Sequence, residues 1–211
     1  MNKWYGFNFK INWPDNQDPK VWIDIFIIGT IVRDVISKKK SEIDLWRIHR
    51  RWPSDEHRHE VTFDCFADKE TATSIEKLIR ESETFKILQA NNLLAGDLKK
   101  VTGGSNIHDI ADDDSTRDWS EELKESWPYY INGCSEMFLF LIESLKGRSK
   151  TDVDEKNISE IESFYTELNN RISEIWQRHG SHAFFHHINA IFGYEPLLAK
   201  PRSFAGILAS F

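Results

Sequence analysis

The stretch that decides the fold is Leu45-Trp46-Arg47-Ile48-His49-Arg50-Arg51-Trp52, then Pro53-Ser54-Asp55-Glu56-His57-Arg58, then His59-Glu60-Val61-Thr62-Phe63-Asp64-Cys65-Phe66-Ala67. Side chains alternate across a strand, so Val61, Phe63 and Cys65 point one way and mark a face that packs on a core. Proline, serine and acids at 53–56 suit a chain reversal. Residues 43–52 and 59–67 are therefore expected to form two arms of a β-hairpin.

Upstream, Tyr5, Phe7, Phe9, Ile11 and Trp13 alternate with Gly6, Asn8, Lys10 and Asn12, the period of a half-buried strand ended by Pro14. Asp18 before Pro19 reads as an N-cap followed by proline in the first helical turn, and Val21, Ile25, Ile28 and Val32 recur at helical spacing up to Lys38-Lys39-Lys40. Downstream, Asp68 is placed to cap a helix with Ala72, Ile75, Leu78 and Ile79 inward, and a second amphipathic stretch runs over 84–94. A short strand near 98–101 completes βαββαβ. The expected fold class is α+β, an antiparallel ferredoxin-like sheet with two backing helices and a C-terminal helical layer.

Gly103-Gly104-Ser105 and the acidic run 109–118 interrupt the periodicity. The expected organisation is an α/β sandwich over 1–102, an acidic loop over 103–118 and a helical part over 119–211 on the same core. Within that part, helices are expected at 119–127, 129–145 and 158–179.

The 211 residues are 40% hydrophobic and 13% aromatic, with 8 Trp and 14 Phe, which supplies a core and excludes a wholly disordered chain. A net charge of −7 opposes general attraction to nucleic acid or anionic membrane. Cys65 and Cys134 are too few and too far apart for a disulfide framework, and the N-terminus carries no apolar signal segment, so a cytoplasmic location is expected. The longest apolar run, 25–31, is far short of the roughly 20 residues that cross a bilayer.

Two clusters carry candidate chemistry. In the first, alternation puts Arg47, His49 and Arg51 on one face and Trp46, Ile48, Arg50 and Trp52 on the other, with His59 leading the next strand. Cations about 7 Å apart along a sheet face suit a carboxylate or phosphate, because the guanidinium fork matches those anions. The alternative is a solvated face paired with Asp55, Glu56 and Glu60. The second cluster is His179, His182, His186, His187 and Asn189. Helical spacing puts His182, His186 and Asn189 opposite an apolar face of Phe184, Phe185, Ile188, Ile191 and Phe192. Imidazoles titrate near neutrality and can move protons. No HExxH glutamate accompanies them, and arginines flank the distant His57-Arg58-His59, so no metal and no cofactor is expected. GxSxG, GxxxxGK[ST] and GxGxxG are absent.

The order of segments resembles the thiopeptide-type bacteriocin biosynthesis domain, the C-terminal elimination domain of class I lantibiotic dehydratases. Leu45 to Trp52 is similar to that family's FFxRY strand, with Arg51-Trp52 in the Arg-Tyr place. His59-Glu60-Val61-Thr62-Phe63 is similar to its HxRxR strand, and residues 182–193 to its HMxxNRxxG helix. The departures are Val61 and Phe63 for two arginines, Phe185 for the helix histidine and Ala190 for its arginine. The resemblance implies a lyase-like protein that eliminates glutamate from modified Ser or Thr of a ribosomally made peptide. Arg51, His186 and His187 would then be catalytic, and Arg47, His49, Arg50, His59, His182 and Asn189 ligand-binding. The alternative is a non-catalytic cytoplasmic module that binds a peptide or partner protein. On either reading, Arg47, His49 and Arg51 are expected to share a groove with His182 and His186.

Overall fold

A computed structural model describes residues 1–14, 18–51, 59–110, 118–149 and 157–194. The chain falls into two compact units, Met1–Asn170 and Arg171–Phe211. In the first, β1 (Lys3–Lys10), β2 (Leu45–Arg51), β3 (Glu60–Ala67) and β4 (Lys99–Thr102) form one sheet in the order β2-β3-β1-β4, with all neighbours antiparallel. The fold is the expected ferredoxin-like α+β arrangement. The turn at 53–56 lies outside the described residues, as does most of the acidic run.

One face of the sheet packs on helices. Phe7, Phe9, Val61, Phe63, Cys65 and Trp46 point to it, and all are buried. The Phe7 and Phe63 rings lie 6.2 Å apart, and Phe9 meets Phe85 edge-on at 6.3 Å. The backing elements are α1 (Trp22–Ile27), α2 (Arg33–Lys39), α3 (Lys69–Glu81) and α4 (Glu83–Ala90). Asp68 caps α3 as expected, its carboxylate accepting from the Thr71 N–H at 2.7 Å, and Ser82 does the same for α4 through Phe85.

Three expectations need correction in this unit. The first strand ends at Lys10, with only a bridge at Ile11, because the next backbone groups pair with the chain around Leu93 instead. The first helix begins at Trp22, not Pro19: Pro19 and Lys20 form a preceding turn, and Asp18 caps nothing among the described residues. The third correction is α5 (Glu121–Arg148), a single helix of 28 residues that runs through Pro128 where a break was expected. Proline removes one backbone bond, but α5 is pinned on both sides of it by tertiary packing.

That packing closes the sheet. β2 is an edge strand whose outward N–H groups need acceptors. Trp46 donates to Asn132 Oδ1 at 2.9 Å and Ile48 to Ser135 Oγ at 3.0 Å, both on α5. Between α1 and α2 the chain makes a wider π-turn, Ile28–Val32. There Gly29 passes so close to α5 that a Cβ would sit 2.9 Å from Ile142 Cγ2, and its carbonyl accepts from Lys146 Nζ at 2.8 Å.

The second unit takes in the end of α6 (Ile158–Gly180), a π-turn at Ser181–His186 and α7 (His187–Ile191). The π-turn breaks the regular spacing on which one apolar face at 184–192 was expected. Phe185, Ile191 and Phe192 are exposed.

Candidate functional site

The second sheet face grades from apolar to polar. At one end Trp4, Leu45, Phe66 and Ile110 form a buried cluster, and the Trp4 indole donates to the Ile107 carbonyl at 2.7 Å. Along the strands the register then puts Arg47 opposite Asp64, His49 opposite Thr62 and Arg51 opposite Glu60, with Asn8 beside Thr62. Arg47, His49 and Arg51 do share a face, as alternation required.

That row is charge-paired: Arg47, Asp64, Thr62 and Glu60 are buried, and His49 and Arg51 are half-buried. Arg47 is 5% exposed and its Nε lies 2.6 Å from Oδ2 of Asp64, which is fully buried. Arg51 approaches Glu60 at 3.6 Å, and Asn8 Nδ2 donates to the same carboxylate at 3.2 Å. Two guanidinium groups thus face two carboxylates, and the anion that the arginines need comes from β3. The Asn8 amide oxygen is buried without a hydrogen-bond partner among the described residues.

Arg50 and His59 lie on the helix-backed side, where both meet Asp24 of α1. Asp24 Oδ1 is 2.6 Å from His59 Nε2, and Oδ2 accepts from Arg50 Nε at 2.7 Å. Arg50 also reaches Asn169 Oδ1 at 3.4 Å. Asp24 and His59 are almost fully buried, and His59 Nδ1 has no partner among the described residues. Sequence reading did not single out Asp24. The signal was present, for it is the lone charge inside the apolar run Val21 to Val32, and a buried acid requires a partner.

Of the second cluster, His182 and His186 stack at 4.9 Å between ring centroids, with His187 edge-on to both at 5.4 Å. They belong to the second unit with Asn189, whereas Arg47, His49, Arg50, Arg51 and His59 belong to the first. Among the described residues no group of three or more His, Cys, Asp or Glu is placed to hold a metal ion. Burial, then the neighbouring Asp64, pushes the Cys65 thiol far above its ordinary range, which leaves it a core residue and a poor nucleophile. Among the described residues no helix is long and apolar enough to cross a membrane.

No protein-family model and no curated protein matches the chain. Among solved structures it is similar to one described as the crystal structure of antibiotic biosynthesis monooxygenase, at 18% identity over 49% of this chain and 97% of that one, with a TM-score of 0.27. So low a score carries no inference about fold or chemistry.

Proposed function

We propose that the chain is a divergent relative of the lantibiotic dehydratase elimination domain that works as a cytoplasmic peptide-binding module, with the polar sheet face holding the peptide. The observation that carries this reading is the half-buried row of Arg47–Asp64, His49–Thr62 and Arg51–Glu60, open at the His49 and Arg51 end, beside an unpartnered Asn8 amide oxygen. A neutral surface of alternating donors and acceptors matches a peptide backbone better than a lone anion.

The eliminating version of this reading has one observation in its favour. Arg51, which would grip the departing glutamate, already faces a glutamate side chain, Glu60. A glutamylated peptide would have to displace it. Calorimetric titration with plain and O-glutamylated serine peptides, followed by mass spectrometry, separates the two. The module predicts saturable binding of both peptides with no change in mass, and loss of glutamate from the modified peptide would establish the lyase. Glu60→Gln should favour the glutamylated peptide by about 3–10-fold, since it frees Arg51 for the incoming carboxylate. Absence of binding to either peptide would refute both versions.

A further inference from the structure

The outer side of α5 carries more apolar surface than a solvent-facing helix needs. Its inner side, through Ser135, Leu139, Ile142 and Leu145, is buried. On the opposite side Leu123, Tyr130, Met137 and Phe140 are 47%, 48%, 41% and 75% exposed. These four fall at intervals of seven, seven and three residues, so they lie along one line of a helix about 42 Å long. Gly133 and Gly147 fall on the same line, and a Cβ built on either meets nothing within 4 Å.

The line is complementary to its own reverse. Turned antiparallel about the level of position 135, Leu123 lies over Gly147, Met137 over Gly133, and Tyr130 against Phe140. Each large side chain meets a glycine or an aromatic ring, which lets two helices approach closely. Charge at the outer positions follows the same symmetry: Glu122 sits at the start of α5 and Arg148 at its end, while Lys146 is turned inward to the Gly29 carbonyl. The same reversal brings Glu122 to Arg148. A twofold contact of this kind repeats every interaction twice and closes on itself.

We infer that this face of α5 is the docking surface for a second copy of the chain, packed antiparallel through Leu123, Tyr130, Gly133, Met137, Phe140 and Gly147. The chain should sediment as a dimer, at twice 24.8 kDa, and dissociate on dilution. Phe140→Glu, at a position that contributes little to the fold, should raise the dissociation constant by about 30-fold or more with the melting temperature of the monomer retained. Glu122→Arg should weaken the dimer, and Glu122→Arg with Arg148→Glu should restore it, a rescue that only the antiparallel register gives. Analytical ultracentrifugation from low to high micromolar concentration decides the matter. A monomer throughout, a dimer indifferent to Phe140→Glu and to Met137→Lys, or failure of the charge swap to rescue would each overturn the inference. None of these readings involves the peptide titration above, so either proposal can fail alone.

Discussion

Asp24 receives two donors at once, His59 on one carboxylate oxygen and Arg50 on the other, in a helix otherwise made of apolar side chains. Its role is to bind β2 and the start of β3 to α1. With His59 almost fully buried, the pair is positioned to hold and not to meet a substrate. Asp24→Ala would leave a guanidinium and an imidazole under the helices without their acceptor. A loss of about 3–5 kcal/mol is expected in urea unfolding, well beyond the roughly 1 kcal/mol typical of a point change. A loss under 1 kcal/mol would show that water replaces the carboxylate. The arginine strand itself was legible from alternation alone, since a period of two fixes which side chains share a face. Glu60 was among the acids the sequence set beside that face, but the other partners were concealed: Asp64 becomes the counter-charge of Arg47 only through strand register, and Asp24 arrives from a helix more than twenty residues away.

At the scale of elements, α3 and α4 followed from periodicity because each has one buried and one wet face, and the hairpin arms because apolar and polar residues alternate along them, even though α1 and β3 are buried throughout. The errors came where tertiary packing overrode a local rule. Pro128 should stop a helix, yet Trp127 just before it packs on the Trp4–Leu45 cluster and Asn132 and Ser135 after it hold α5 to β2. The π-turns at Ile28–Val32 and Ser181–His186 leave no mark in a pattern that assumes 3.6 residues per turn. The first of these gives a sharp test. Gly29→Ala would drive a methyl to 2.9 Å from Ile142 Cγ2, a branched side chain with little room to retreat. The expected cost is about 1–3 kcal/mol, with Gly29→Ala paired with Ile142→Leu, which removes the β-branch methyl that the new Cβ meets, recovering part of it. Thermal unfolding of the three variants measures both effects.

At the scale of the whole molecule, the chain is acidic, and part of its stability is tied to carboxylates staying ionised. Arg80 of α3 donates to both oxygens of Asp97, while Glu76 faces Arg80 and, on β4, Lys100. The Arg80 hydrogen bond holds Asp97 below its ordinary range. Burial would raise Glu76, but hydrogen bonds from Lys100 and Arg80 outweigh it and hold that group low as well. Carboxyls depressed in the folded state take up protons first when unfolded. Their contribution is therefore complete above the ordinary carboxyl range of about 4 and is lost as pH falls through the folded values. These groups are near the surface, so the loss is expected to stay below about 1 kcal/mol. Arg80→Ala should flatten the stability profile between pH 5 and about 3 without steepening it elsewhere, as read from urea midpoints at each pH.

The closure of the sheet edge by α5 has a further consequence, and it concerns time. The Trp46 and Ile48 amides hang on side-chain oxygens of Asn132 and Ser135, not on another strand. Their protons are therefore released whenever α5 lifts, even while β2 stays paired with β3 through its other amides. In deuterated water those two positions should exchange together, faster than Asp64 and Thr62 in the middle of the sheet, and at one shared rate. That rate would time how often the helix detaches. A separation of the two rates would show that α5 frays from one end.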